Sequence, residues 1–140
     1  GRMAPHPFAF VEVSQNLPET LSIWSDGRTV LTSPANTGLP AGSAQTPDGT
    51  YLIFYRLPLQ TMHGVTDTGQ PYTYPNVPDI DYFDNNLAIH GFVRAHYGYP
   101  QSQGCVELPL AAARSAYAIL DYGDIVNITG IPGLPATSSG

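Results

Sequence analysis

Glycine and proline divide this chain into short segments. Fourteen residues of each type are spread over the 140-residue sequence, and both types are unfavourable inside helices and strands. The runs between them are short and rich in β-branched and aromatic side chains, which is typical of strands. We therefore predict a mostly β domain with strands at residues 8–13, 20–24, 29–31, 50–55, 87–90 and 124–129.

Two four-residue segments have the composition of turns. Ser25-Asp26-Gly27-Arg28 lies between two predicted strands, and Asp-Gly tolerates the positive φ angles of a tight hairpin turn. Thr46-Pro47-Asp48-Gly49 has a similar composition and precedes the strand at 50–55. We predict a hairpin turn at each segment.

One segment is typical of a helix. Residues 109–121 (PLAAARSAYAILD) are rich in alanine, begin with proline and stop before Gly123. Its apolar residues recur at helical spacing, at Leu110, Ala113, Tyr117 and Leu120. We predict one main helix just after Cys105, whose positive N-terminal end would favour a thiolate nearby.

The segment from residue 63 to residue 81 is polar and contains three prolines. A loop of this length inside a compact domain usually has a function. We interpret it as a lid that carries Tyr72 and Tyr74.

The folded domain is predicted to span residues 8–130. Residues 1–7 are predicted to be a disordered or added N-terminal segment. Residues 131–140 contain proline, glycine and serine without a pattern, and we predict a flexible tail there.

Composition limits the functions open to the chain. Apolar residues make up 42% of it, enough for a folded core. The sequence has no lysine, so P-loop and Schiff-base chemistry are excluded. A formal net charge of −6 argues against nucleic acid as a partner. No apolar run reaches the roughly 20 residues that a membrane helix needs, and the first residues contain no signal-peptide core.

The only cysteine is a candidate nucleophile. Cys105 follows Ser102, Gln103 and Gly104, and His90-Gly91 lies fifteen residues upstream at the end of a predicted strand. A lone thiol with an imidazole at such a position fits a nucleophile and its base. Gly104 allows close approach of a substrate and could orient an amide N–H towards an oxyanion. The alternative is a buried structural cysteine, but its neighbours are polar.

A metal site is the competing interpretation of the same residues. His90, His96, Cys105 and either Asp79 or Asp81 could bind zinc. The sequence has no closely spaced Cys or His pair of the kind that zinc sites use, so we rank this below the nucleophile and predict neither a metal nor a cofactor.

Five further side chains are candidates for the walls of a substrate cleft. Arg94 lies between His90 and Cys105, and in a lysine-free chain it is a candidate for binding a substrate carboxylate. The other four are apolar or aromatic and could equally belong to the core or the surface: Met62, Tyr72, Tyr74 and Phe83.

Taken together, these residues resemble the L,D-transpeptidase catalytic domain, the YkuD family. Its hallmark is a His-Gly pair, a loop, and then Ser-His-Gly-Cys followed by Val or Ile. The corresponding residues here are 90–91 and 102–106. The resemblance covers about residues 8–130 and includes Ala35-Asn36-Thr37-Gly38 and Gly123-Asp124-Ile125-Val126.

The resemblance implies mixed, curved sheets that form a sandwich or barrel-like body, with one helix after the cysteine. It implies a place outside the cytoplasm, at the bacterial cell wall or in a periplasm-like space. The implied substrate is the tetrapeptide stem of peptidoglycan, joined by a 3→3 cross-link through an acyl group on Cys105, with His90 as the base and D-alanine released. The amides of Gly104 and Cys105 would bind the oxyanion, and a carbapenem is expected to form a covalent adduct on Cys105.

Two residues depart from the family pattern. Gln103 stands where a histidine is common before Gly-Cys. The family's base is the earlier histidine, which is His90 here. Glu107 stands where arginine or asparagine is frequent, two residues after the cysteine.

Other functions fit the residues as well. An L,D-carboxypeptidase would hydrolyse the same acyl-enzyme, and a non-catalytic wall-binding module is compatible with Gln103 and Glu107. A papain-like peptidase fits less well because it places cysteine before histidine in the chain. An activated Cys105 is expected to react with iodoacetamide well below pH 8, whereas an unactivated thiol is not.

Overall fold

The computed structural model of the protein describes residues 8–135. Within that range, the first sheet consists of β1 (Ala9–Ser14), β2 (Thr20–Ser25), β3 (Arg28–Pro34), β4 (Gly49–Leu52) and β9 (Ile125–Thr129), in the order β3-β2-β1-β9-β4. The second consists of β5 (Tyr55–Val65), β6 (Pro71–Asp84), β7 (Leu87–Gly91) and β8 (Val106–Leu108), in the order β5-β6-β7-β8. Helix α1 (Leu110–Ile119) follows β8, and a short 3₁₀ helix spans Gly42–Ala44. The predicted mostly β fold of mixed sheets with one main helix after the cysteine is confirmed.

The hydrophobic core lies between the two sheets and α1. Side chains alternate along each strand, so that Val11 in β1 is buried while Glu12 beside it is exposed. The second sheet contributes Ile89 and Val106 to the same core, and α1 contributes Ala113. The side chains on the opposite face of β7 and β8 do not belong to this core and can therefore be polar.

Strands β7 and β8 are parallel neighbours. Their register pairs Ile89 with Val106 and His90 with Glu107. Because side chains alternate, Cys105, one residue before β8, faces the same side of the sheet as Glu107 and His90. A parallel pair needs a crossover connection, and residues 92–105 provide it here.

The segment from residue 35 to residue 38 holds the end of this crossover. Asn36 and Glu107 exchange two backbone hydrogen bonds of 2.9 Å. The Thr37 carbonyl accepts hydrogen bonds from the N–H groups of Gln101 and Ser102, at 2.9 and 3.0 Å. The backbone just before the cysteine is therefore fixed from a distant part of the chain.

The prediction of a loop at residues 63–81 is wrong, because this part of the chain belongs to a long antiparallel hairpin of β5 and β6. Proline is rare in strands with partners on both sides because it lacks an N–H group. Within β6, only residues near its end, at Asp81, Tyr82 and Asp84, pair with strand β7. The proline-containing part of β6 has β5 as its only partner, so the missing N–H groups break no second ladder.

Three further local predictions have different outcomes. The hairpin turn at Asp26-Gly27 is confirmed, with φ angles of 52° and 75°. The predicted hairpin turn at Thr46–Gly49 is wrong, because β4 pairs with β9 and not with β3. Helix α1 is shorter than predicted, and Leu110 is 47% exposed rather than on the buried face.

The predicted N-terminal segment, residues 1–7, and residues 136–140 of the predicted tail lie outside the described residues. The described start of the tail is bonded to the segment between β1 and β2. The Leu134 carbonyl accepts a hydrogen bond of 2.6 Å from Leu17, and Ile131 donates one of 3.0 Å to Asn16. In the part of the chain that is described, no helix is long and apolar enough to span a membrane.

Gly38 is the position with least room. A Cβ atom there would lie 1.7 Å from the Ala44 carbonyl oxygen and 3.0 Å from the Gly104 Cα. We predict that Gly38→Ala lowers the free energy of unfolding by about 3 kcal/mol, since both obstacles are backbone atoms. Urea unfolding measures the loss. In the control Gly27→Ala, the new Cβ meets nothing within 4 Å, and only the left-handed backbone costs about 1 kcal/mol. Equal losses in the two variants would contradict the close packing.

Candidate active site

A pocket of about 610 Å³ opens over the shared face of β7 and β8. Cys105 and His90 both line it, as do Ser102 and Gln103 from the loop before the cysteine. The β5–β6 hairpin forms the opposite wall and contributes Met62, Tyr72 and Tyr74. The structure thus brings together most of the site residues predicted from the sequence.

The Cys105 thiol is partly exposed to the pocket. It lies 3.5 Å from the Asn86 carbonyl oxygen, to which it donates a hydrogen bond. Burial raises the pKa of the thiol to about 12, while a backbone hydrogen bond at Ala88 opposes this rise and Glu107 adds to it. The thiol is therefore protonated at neutral pH.

The His90 side chain is buried and held in one orientation. Its Nδ1 atom lies 2.8 Å from the Gly91 carbonyl oxygen, which can only accept, so Nδ1 carries the hydrogen. In the neutral ring, Nε2 is then free to accept a proton. Burial lowers the pKa of His90 despite the opposing effects of the Gly91 carbonyl and Glu107.

Both shifts favour a neutral pair over a thiolate–imidazolium ion pair. Among the described residues, no hydrogen bond joins the Cys105 thiol to His90, and the thiol uses Asn86 instead. The helix end was expected to favour a thiolate only where the geometry brings the two together. Strand β8 lies between Cys105 and α1, and burial is the largest influence on the pKa of the thiol. His90 can act as a general base once the thiol exchanges Asn86 for the imidazole.

The loop before the cysteine is locked by hydroxyl groups. Ser102 is buried, and its hydroxyl accepts a hydrogen bond from the Gly104 N–H at 3.1 Å and donates to the Cys105 carbonyl at 2.6 Å. The Gly104 N–H is therefore occupied, which corrects its predicted role as a free oxyanion donor. Gly104 has a φ of 129°, and a Cβ there would lie 2.8 Å from Leu87. Only glycine fits this position without strain.

Thr46 was not identified from the sequence as part of the site. Its buried hydroxyl donates a hydrogen bond of 2.6 Å to the Gly104 carbonyl and accepts one of 2.8 Å from the Gly38 N–H. It thereby ties the loop before the cysteine to the 35–38 segment. In the sequence, the Thr-Pro-Asp-Gly pattern indicates a turn, and nothing in it indicates this long-range contact.

The aromatic wall of the pocket is packed ring against ring. Tyr72 stacks on Tyr74 with a centroid distance of 4.8 Å, and Tyr74 meets Phe92 edge-on at the same distance. Burial raises the pKa of both Tyr72 and Tyr82, and the neighbouring Cys105 raises it further. Both phenols are therefore protonated at neutral pH. Tyr82, which also lines the pocket, donates a hydrogen bond to Gln60.

Phe83 does not line the pocket, contrary to prediction. It is 3% exposed and packs in the core, 5.1 Å from the ring of Tyr51. Its neighbour Tyr82 faces the pocket instead, because consecutive strand residues point to opposite faces.

Arg94 is also placed differently from the prediction. It is not a lining residue of the pocket, and it makes two hydrogen bonds of 2.8 Å to the Glu107 carboxylate. Its charge is therefore already paired within the protein rather than available for a substrate carboxylate.

Gln103 occupies the position where the resemblance expects histidine. Its Oε1 atom accepts a hydrogen bond of 3.0 Å from the Asp67 N–H, in the turn that joins β5 to β6. This bond connects the loop before the cysteine to the tip of the hairpin. Gln103 itself lines the pocket.

The metal interpretation gains no support from the geometry. Over residues 8–135, no three His, Cys, Asp or Glu side chains converge as metal ligands would. Asp81 instead bonds Arg56 at 2.5 Å, and His96 is exposed.

Comparison with known proteins identifies the family of the chain. The family model for the L,D-transpeptidase catalytic domain, YkuD, matches residues 9–128. No match was found among curated proteins.

Solved structures share the fold. The catalytic domain of an L,D-transpeptidase from E. faecium is 23% identical and superposes with a TM-score of 0.75, covering 92% of this chain and 100% of that domain. An L,D-transpeptidase from Mycobacterium smegmatis is 22% identical, with a TM-score of 0.73 over 86% of this chain. L,D-transpeptidase 3 from Mycobacterium tuberculosis, solved with a faropenem-derived adduct, is 21% identical, with a TM-score of 0.73 over 86%. The chain spans only 59% and 60% of the two mycobacterial chains.

The neutral resting pair has a direct consequence for thiol reactivity. We predict that iodoacetamide alkylates Cys105 slowly at pH 7 and that the rate rises with pH beyond pH 9, because the thiol pKa is about 12. This reverses the expectation of fast alkylation below pH 8. Intact-mass spectrometry at several pH values measures the rate, and Cys105 is the only cysteine that can react.

The control for this experiment is His90→Gln, which removes the imidazole. A neutral pair predicts that the alkylation rate of the resting protein changes less than twofold. Fast alkylation at pH 6 that is lost in His90→Gln would demonstrate an ion pair and contradict the neutral one.

The bond between Gln103 and the hairpin turn is testable without substrate. We predict that Gln103→Ala speeds hydrogen exchange of the Asp67 amide about fivefold, since a single such bond contributes about 1 kcal/mol. Gln103→Glu keeps an acceptor at the same place and should leave the exchange rate near that of the original protein. Unchanged protection of Asp67 in Gln103→Ala would show that the bond does not hold the turn.

Proposed function

We propose that this chain, which belongs to the YkuD family of L,D-transpeptidase catalytic domains, transfers an acyl group from a peptidoglycan tetrapeptide stem through a thioester on Cys105. One observation carries the proposal. A neutral imidazole on β7, with Nε2 free to accept a proton, and a thiol one residue before the parallel strand β8 face the same pocket. That arrangement provides a nucleophile and a general base.

In the first half-reaction, the Cys105 thiol leaves Asn86 and gives its proton to His90 Nε2 while the sulfur attacks the carbonyl carbon of the third stem residue. The Cys105 amide N–H is the backbone donor proposed for the oxyanion, a contact that contributes on the order of 3 kcal/mol. The tetrahedral intermediate then collapses to a thioester. His90 returns its proton to the nitrogen of D-alanine, which leaves as the amine.

In the second half-reaction, the side-chain amine of another stem attacks the thioester carbonyl. His90 takes one proton from the attacking nitrogen and passes it to the sulfur as the thioester bond breaks. The products are a 3→3 cross-link and free enzyme. The aromatic wall from the β5–β6 hairpin, joined to Gln103 at its tip, encloses the thioester and limits access of water.

The second candidate is an L,D-carboxypeptidase, in which water replaces the acceptor amine. The polar side chains that line the pocket favour this alternative, because they can hold water near the thioester. Among them are Gln60, Asp84 and Asn86. We place either activity outside the cytoplasm, at the bacterial cell wall, where the stems are. We also propose that a carbapenem acylates Cys105. The M. tuberculosis relative carries a faropenem-derived adduct.

The proposal predicts D-alanine release from a purified disaccharide-tetrapeptide, with cross-linked dimer when a second stem supplies the amine. Cys105→Ala should lower D-alanine release at least a thousandfold, because no other described group can form the thioester. His90→Gln should lower it by about a hundredfold to ten-thousandfold, the range of a lost general base. Product analysis by mass spectrometry distinguishes dimer from hydrolysed tripeptide. D-alanine release that persists in Cys105→Ala would refute the proposal.

A further inference from the structure

Glu107 is a buried carboxylate beside the candidate base. It is paired with His90 across β7 and β8, and both side chains line the pocket. Only 3% of Glu107 is exposed, so its charge requires a partner. Arg94 supplies that partner through two hydrogen bonds of 2.8 Å, and Asn36 Nδ2 donates a further one of 3.2 Å to Oε1.

Arg94 is fixed close to the same ring. Its guanidinium lies 4.8 Å from the centroid of Phe92, and Phe92 meets the His90 ring edge-on at 5.9 Å. The Arg94 backbone N–H donates to the Tyr97 hydroxyl at 3.1 Å. Among the described residues, the charged groups acting on His90 are Glu107 from β8 and Arg94 from the crossover loop.

We propose that Glu107 and Arg94 are a pair of positioning residues whose opposite charges balance at His90 in the resting protein, and that Glu107 stabilises the His90 imidazolium during acyl transfer. The role in acyl transfer rests on the proposed function. In acyl transfer the pair acts through the imidazole, and no hydrogen bond joins it to the Cys105 thiol among the described residues.

The two charges act on His90 in opposite directions. The Glu107 carboxylate raises the pKa of His90 and the Arg94 guanidinium lowers it, so that burial decides the resting state and the ring is neutral. When the ring takes the thiol proton, Glu107 is the neighbouring anion that offsets the new positive charge. Removing one member of the pair should therefore shift the pKa of His90, and removing both should return it close to its original value.

Nuclear magnetic resonance measures the titration of His90 directly, with its Cε1–H signal identified by its loss in His90→Gln. We expect Arg94→Gln to raise the titration midpoint by about one pH unit, because Glu107 is then unopposed. Glu107→Gln should not raise it, and the double variant should return to within about 0.3 of the original midpoint. Arg94→Lys keeps the charge and should keep the midpoint.

The pH profile of kcat/KM provides the second readout. His90 must be neutral to accept a proton, so the acid limb should move to higher pH in Arg94→Gln by the same amount as the midpoint. The glutamine side chain in Glu107→Gln has nearly the same size and shape as glutamate but carries no charge. This variant should lower kcat about tenfold with little change in KM. If Arg94→Gln does not fold, Glu107→Gln decides alone.

A purely structural ion pair predicts something else. Each single variant would unfold at lower temperature, while the His90 midpoint, the acid limb and kcat stay unchanged, and that result would overturn the proposal. The titration uses protein without substrate. A chain that titrates as expected but releases no D-alanine would therefore refute the proposed function and leave the electrostatic pair standing.

Discussion

The parallel pairing of β7 with β8 is the constraint on which the candidate site depends. It sets His90 opposite Glu107 and brings Cys105 to the same face of the sheet. Backbone hydrogen bonds to Asn36 and Thr37 fix the far end of the crossover from 92 to 105 that makes this pairing. A distant segment of backbone thus positions the nucleophile, and the close contact at Gly38 leaves that segment no freedom to shift.

Burial has two opposing consequences for the chemistry. It orients the imidazole and excludes water, which strengthens every interaction with developing charge. It also raises the pKa of the thiol and lowers that of His90, so the resting pair is neutral. The reactive thiolate then forms only as the proton moves to the base. The Glu107–Arg94 pair lies where it can offset the charge that this transfer creates.

Much of the fold could be predicted from the sequence, because local chemistry determines it. The Asp-Gly turn, the alternating strands and the alanine-rich helix are local patterns, and so is the Gly-Cys motif. The β5–β6 hairpin could not be predicted, since its prolines are tolerated only because one side of β6 has no partner strand. Nor could the sequence distinguish Tyr82 from Phe83 as the residue facing the pocket, which depends on strand register.

The remaining errors concern charge. Arg94 was expected to meet a substrate, but its partner Glu107 comes from another strand, and nothing in the spacing indicates that contact. The reactivity of Cys105 is expected from its motif, whereas the pKa of its thiol depends on the surroundings that the folded chain gives it. Long-range burial and pairing therefore decide the electrostatics of a site whose residues the sequence already identifies.

The central claim is that Cys105 acts as a nucleophile through His90, and acylation by a carbapenem tests it most directly. The protein is incubated with imipenem at pH 7, digested, and the peptide containing residue 105 is weighed by mass spectrometry. The account predicts one adduct per chain on Cys105, formed much more slowly in His90→Gln. An unmodified Cys105, or acylation at the same rate without the imidazole, would contradict it.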